Sequence, residues 1–202
     1  MKIFILRHED RTQDATFFSP LTVKGHTKAN QLAHTLKDLK INKIYSSPFI
    51  RTLQTINPYI ELLKNKNKNL KINIDYSLSE IQHPHIIPPK SYQITIPEYI
   101  AKNFNYNEKY NSIIEPTDFD YPENESCVKK RVKKFIMKLI DEYLSKDVNI
   151  LIVTHQIVCN TILNVVSKDF KDLKFPSDFG YPTGGLTLVF NENEWEYRPI
   201  NW

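Results

Sequence analysis

Residues 3–6 of this chain, Ile-Phe-Ile-Leu, form an unbroken apolar run that stops at Arg7 and His8. The run is too short for a core helix, and Ile and Phe favour a pleated surface, so it predicts a buried strand over 2–6. A second run, Asn-Ile-Leu-Ile-Val-Thr at 149–154, predicts a fully buried strand and hands over at once to His155. In open α/β sheets ligands bind outside the carboxyl ends of the strands. A cation and an imidazole delivered together at such an edge are suited to grip and attack an anion.

The intervening chain alternates helix and strand signals. Ala29, Leu32, Ala33, Leu36 and Leu39 recur every three or four residues and mark one apolar helical face, with Thr22 as N-cap. A short strand ending at Tyr45 or Ser46 follows, then a capping serine and Pro48 in the first turn of a second helix, which holds Arg51. An arginine opposes the helix dipole at that end, so its place there suggests a ligand. A third strand over 70–75 leads to Leu78-Ser79-Glu80-Ile81. Residues 83–123, rich in proline and aromatics, break the alternation and predict an insertion over the sheet edge, with one helix near 96–104 and a role in specificity. Glu123-Asn124-Glu125-Ser126 opens the strongest helix, whose apolar face is Val128, Val132, Phe135, Ile136, Leu139, Ile140 and Tyr143. A helix over 156–167, a Gly-Tyr-Pro tail and two short strands near 186–190 and 194–198 close the chain. Together these predict one α/β domain over residues 1–202, a three-layer α/β/α sandwich with a mostly parallel central sheet.

Composition narrows the function. A net charge of +4 suits an anionic small substrate but not a nucleic-acid surface, and the Lys/Asn run at 64–71 lacks interleaved aromatics and reads as a solvated linker. Two distant cysteines, Cys127 and Cys159, exclude a disulfide framework and point to a reducing compartment. No signal peptide and no apolar stretch of membrane-spanning length are visible, so a cytoplasmic protein without membrane contact is expected. His83 and His85 form an H-x-H pair with no completing Cys, Asp or Glu cluster, and His26 and His34 lie too far apart to pair on a helix. No metal or other cofactor is expected.

Arg7, His8, Arg51, Glu80 and His155 converge on one sheet edge in this architecture, as a dianion pocket with a nucleophile and an acid. These pieces resemble the histidine phosphatase (phosphoglycerate mutase-like) superfamily. The matches are Leu6-Arg7-His8, Leu21-Thr22-Val23-Lys24-Gly25, Tyr45-Ser46-Ser47-Pro48 through Arg51 and Gln54-Thr55, Leu78-Ser79-Glu80-Ile81, Glu125-Ser126, and Ile152-Val153-Thr154-His155. The resemblance implies that His8 becomes a phosphohistidine, that Arg7, Arg51 and His155 bind phosphoryl oxygens, and that Glu80 protonates the leaving group. Glu98 and Glu125 are alternatives for the acid.

The order R-H-x-x-R, the aromatic insertion and the tail look most like the phosphatase domain of the suppressor of T-cell receptor signalling proteins. That similarity implies an aryl phosphate such as phosphotyrosine, with Arg11 as a further phosphate ligand. The expected partner is a phosphorylated small molecule or phosphoprotein, and a homodimer is left open. Two positions depart from the family: Glu9 and Gln156 stand where glycine usually follows each histidine. The Tyr-Gly segment that mutases carry after the acid is replaced by Ile81-Gln82-His83-Pro84, which weighs against a mutase. The rival from another class is a catalytically silent member of the fold, kept as a phosphate-binding or interaction module, motivated by Glu9.

Overall fold

The computed structural model describes residues 1–14, 16–65, 69–87, 95–166, 185–191 and 194–200. The centre of the Lys/Asn run, part of the insertion and the Gly-Tyr-Pro tail lie outside them.

Six strands make one sheet: β1 (Lys2–Arg7), β2 (Lys43–Ser46), β3 (Ile72–Ile74), β4 (Asn149–Thr154), β5 (Gly185–Asn191) and β6 (Glu194–Pro199), in the order β3-β2-β4-β1-β5-β6. The first four are parallel, and β5 is antiparallel to both β1 and β6. The helices are α1 (Val23–Leu36), α2 (Ile50–Lys64), α3 (Glu98–Ala101), α4 (Glu125–Tyr143) and α5 (Gln156–Val166).

The pleat divides each apolar run between two cores. Ile3, Ile5, Ile150 and Ile152 face α4 and α5, packing on Val128, Val132, Phe135, Ile136, Ile162 and Leu163. Phe4, Leu6, Leu151 and Val153 face α1 and α2, packing on Leu32, Leu36, Leu53, Ile56 and Ile60. Each such side chain is worth roughly 1.5–3 kcal/mol of burial, which is why β1 and β4 need a helix layer on both sides.

This arrangement fixes where a ligand can sit. After β1 the chain crosses to α1 on one face, and after the adjacent β4 it crosses to α5 on the other. The crevice between diverging crossovers is the topological switch point of an open α/β sheet. It falls between β1 and β4, where Arg7 pairs with Thr154.

Two local predictions differ from the structure. No serine caps α2, and Pro48 precedes it. The helix begins at Ile50 with Phe49 as N-cap and no side-chain cap bond. The Ser47 hydroxyl is engaged elsewhere, as described below. The helix expected near 96–104 is only Glu98–Ala101. Its neighbours are drawn into side-chain contacts instead, with the Ile96 amide donating to the Tyr76 hydroxyl and the Asn105 side chain donating to the Leu70 carbonyl.

Candidate active site

Three adjacent strand ends lay down the floor of the site. The His8 amide donates to the Thr154 carbonyl (3.0 Å) and the Ser47 amide to the Val153 carbonyl (3.1 Å), so the ladder continues one residue past β1 and β2. His8 and His155 therefore share one level and Ser47 lies one residue below it, opposite Thr154, each the first residue beyond its strand. The two imidazoles meet edge to face with centroids 5.3 Å apart.

The loop after β1 is tied down from α1. Thr22 caps that helix by accepting from the Gly25 amide, while its own amide and hydroxyl donate to the Asp10 carbonyl and carboxylate. A Cβ at residue 25 would overlap the Asp10 carbonyl oxygen. Glycine is needed there for close approach, and the Asp10 carboxylate is thereby committed to the cap.

His8 is buried, and its Nδ1 lies 2.7 Å from the Glu9 carbonyl oxygen. A carbonyl only accepts, so Nδ1 carries the proton and Nε2 holds the lone pair. Burial first, then the charge of Arg51, hold the imidazole well below the usual histidine range. The Glu9 contact opposes this, and Arg7 and Arg11 add to it. His8 is a neutral imidazole at neutral pH. Glu9 is itself buried, and its amide donates to the Thr55 hydroxyl (3.0 Å), which in turn donates to the Arg51 carbonyl. The residue that replaces the usual glycine thus links the nucleophile candidate to the first turn of α2.

Arg51 sits in that turn, 1% exposed. Its guanidinium lies 4.6 Å from the Phe49 ring centroid and donates to the Thr16 carbonyl (2.7 Å). Burial lowers it to about 10, still fully charged at neutral pH. Among the described residues its Nε–H has no hydrogen-bond partner. A buried cation with a donor to spare is what a phosphoryl oxygen requires. Arg7 donates to the Gln156 side-chain oxygen (2.9 Å), which gives a structural part to the residue that replaces the second glycine. Arg11 donates to the Thr12 carbonyl, and its charge still acts on both His8 and Arg51.

His155 is fully buried at the start of α5. Its Nε2 is 2.8 Å from the Ser47 hydroxyl, and that hydroxyl oxygen accepts from the Phe49 amide (3.3 Å). Burial, then Arg51 and His8, keep this imidazole neutral as well. Its Nδ1 points toward Glu80, with 3.7 Å to Oε2, too long for a hydrogen bond. Glu80 follows β3 and a short 3₁₀ turn (Tyr76–Leu78). Burial raises its carboxyl above the usual glutamate range, against the pull of Arg51 and the Ile81 amide. The alternatives for the acid lie elsewhere: Glu98 is exposed and paired with Lys102, and Glu125 is exposed in the first turn of α4.

Arg7, His8, Arg11, Arg51, Glu80 and His155 thus lie close enough for their charges to act on one another. Sequence reasoning missed Ser47 as a partner of His155 and Arg131 as a buried cation on α4, 5% exposed. An arginine on the apolar face of a helix was the available signal for the latter. His83 and His85 stack on each other at 5.0 Å, and among the described residues no three His, Cys, Asp or Glu side chains group as a metal site. Within the same residues, no helix is long and apolar enough to cross a membrane.

The sequence model of the histidine phosphatase superfamily (branch 1) matches residues 6–202. The chain belongs to that superfamily. Among solved structures, it is similar to the ecdysone phosphate phosphatase of Bombyx mori in complex with tungstate (TM-score 0.71, 15% identity, 99% of this chain and 93% of that one). It is similar also to the alpha-ribazole phosphatase of Shigella flexneri (0.65, 21%, 100% and 96%) and a phosphoglycerate mutase of Bacillus anthracis (0.65, 20%, 99% and 92%). At these identities the likeness is one of fold. No curated sequence matches the chain.

Proposed function

We propose that this superfamily member is a metal-independent phosphomonoesterase that works through a phosphohistidine at His8. The observation that carries the proposal is the His8 tautomer: Nδ1–H is committed to the Glu9 carbonyl, leaving the lone pair on Nε2 of a neutral imidazole. Arg7, Arg51 and Arg11 hold the phosphoryl oxygens and neutralise charge, which is most of what phosphoryl transfer needs from a protein. His8 Nε2 attacks phosphorus, the ester P–O bond breaks, and Glu80 gives its proton to the departing oxygen. The phosphoimidazolium formed is cationic, and its Nδ1–H bond to the Glu9 carbonyl strengthens. Glu80, now a carboxylate, takes a proton from water, the water oxygen attacks phosphorus, and the P–N bond breaks. Inorganic phosphate, neutral His8 and protonated Glu80 result. His155 binds a phosphoryl oxygen beside His8.

An aryl leaving group is the substrate class the site's rim supports. Aromatic rings run outward from the site: Phe49 lies 4.8 Å from His155, Phe17 4.6 Å from Phe49, and Phe18 4.9 Å from Phe17. Phe18 is 41% exposed at the outer end. Ile87 and Tyr121 of the insertion pack on the same cluster. Phe49 and Phe17 are buried and support Phe18, whose exposed ring is where a phenyl group would stack.

Hydrolysis of p-nitrophenyl phosphate with EDTA present, by wild type and His8→Ala, tests the chemistry. Metal-resistant turnover that vanishes in the variant is expected. Wild type that binds vanadate without turnover would instead establish the phosphate-binding module, with Glu9 as the cause. For the substrate class, small sugar phosphates outcompeting aryl phosphates would overturn the proposal.

A further inference from the structure

Glu80 is held differently from the other site residues. The loop that carries it contains no strand and only one short 3₁₀ turn, yet it must place a proton donor to within a fraction of an ångström. A buried ion pair lies behind it. Arg131 on α4 donates from Nε to Glu123 Oε1 (2.8 Å) and from NH2 to Glu123 Oε2 (3.0 Å), with both side chains 5% exposed or less. The same guanidinium donates from NH1 to the Ser77 carbonyl (2.6 Å) and from NH2 to the Glu80 carbonyl (3.3 Å). Glu123 Oε2 in turn accepts from the Gln82 amide (2.8 Å), and the Glu123 amide donates to the Gln82 carbonyl (2.8 Å).

We propose that the Arg131–Glu123 pair is the positioning device for Glu80, gripping the backbone before it, at it and after it so that the carboxyl faces His155. A buried ion pair contributes little net stability compared with an apolar pair of the same volume. What this one supplies is geometry: a fixed fork of donors for two loop carbonyls and a fixed acceptor for one loop amide. Phe119 covers the outer face of the guanidinium, 5.4 Å from its ring centroid, so an element of the insertion shields the device from water. Neither residue hydrogen-bonds to the phosphate grip; both hold the loop, and the Arg131 charge also acts through space on Glu80 and His155, which Arg131→Lys preserves. The inference rests on Glu80 being the proton donor of the proposed reaction.

Two substrates with the same ring separate positioning from general damage. Nitrophenolate leaves without a proton, whereas the alkoxide of benzyl phosphate needs one. In Arg131→Lys, and in the charge-free pair Glu123→Gln/Arg131→Met, kcat/KM for benzyl phosphate, which reports P–O cleavage and not the later hydrolysis common to both esters, is expected to fall about 10–100-fold. For p-nitrophenyl phosphate kcat/KM is expected to change less than about threefold. Glu80→Gln is the reference. If it shows no preference between the substrates, the general-acid assignment fails, whatever the clamp does. If Glu80→Gln discriminates but the clamp variants lose both substrates in parallel or neither, the positioning proposal is overturned. Should both variants fail to fold, hydrogen exchange on the wild-type protein decides. The Gln82 amide is expected to exchange as slowly as the amides of β4, and exchange at the rate of an exposed loop would overturn the proposal.

Discussion

The two sides of the candidate site are built on opposite principles. On the phosphate side, Arg7, His8, Ser47 and His155 follow directly from parallel strands whose register places them side by side. Backbone hydrogen bonds and two apolar cores set their positions. On the acid side, Glu80 stands on irregular chain and depends on side chains from α4 and the insertion, at sequence separations of 51 for Arg131 and 41 for the Glu123–Gln82 bond. A grip on phosphate is common to every substrate of such a site, whereas the group carried by the leaving oxygen varies with the substrate. Backbone register fixes the first side, and a side-chain clamp fixes the second.

The largest effects are expected on the sheet side and should spare no substrate. His8→Ala removes the proposed nucleophile, and kcat/KM for any phosphomonoester should drop by about 10⁴-fold or more. Arg51→Lys keeps a charge but loses the planar fork, and a loss of about 10²–10³-fold is expected on p-nitrophenyl and benzyl phosphate alike. A loss confined to one of the two esters would break the comparison.

Changes on the acid side should be selective. Glu80→Gln is expected to lower kcat/KM for benzyl phosphate by about 10²–10⁴-fold and to leave kcat/KM for p-nitrophenyl phosphate within about tenfold, since the hydrolysis step common to both esters enters kcat alone. The pH profile gives an independent handle. Glu80 is active when protonated and its carboxyl is pushed up, so the wild-type rate falls as pH rises through that raised value. His8 is active when neutral and its imidazole is pushed down, so the acid limb lies below the usual histidine range. The variant should lose the alkaline limb and keep the acid one. Both limbs surviving would remove Glu80 from proton transfer.

A smaller effect is expected at the rim. Phe18→Ala removes the exposed end of the ring series, and KM for aryl phosphates should rise about two- to tenfold. Small sugar phosphates should show no change. An equal rise for both would mean that Phe18 supports the loop rather than the leaving group.

How much of this was legible in the sequence follows the same division. Ile3-Phe4-Ile5-Leu6 and the run at 149–154 announced buried strands, and the polar residue after each fell where register put it. The motif around Thr22 and Gly25 was readable as a helix start, but not that Gly25 makes room for the Asp10 carbonyl, a contact between segments. The place of Glu80 past the third strand was readable, but not what holds it there, because nothing in residues 76–82 encodes its anchorage, which lies in Glu123 and Arg131. The cap of α2 was misread for a related reason. Ser47 has cap chemistry, but its hydroxyl is taken by His155, 108 residues away. Local rules fail where a side chain answers to a distant partner.

The smallest predicted effect concerns stability, and the two sides should carry opposite signs. Below the usual histidine pKa of about 6.5 the unfolded chain binds protons that buried, neutral His8 and His155 refuse. Stability is therefore lost as pH falls through that value, by at most about 1.4 kcal/mol per pH unit for each group. Glu80 works the other way. Its raised carboxyl keeps a proton that the unfolded chain has already released, so stability is lost as pH rises from the usual glutamate value to the raised one. Urea midpoints measured from neutral to mildly acid pH test this. The gap between wild type and His8→Asn should shift in favour of the variant as pH falls, whereas Glu80→Gln should gain on wild type as pH rises. Parallel curves for all three proteins would mean that neither group is held away from its ordinary titration.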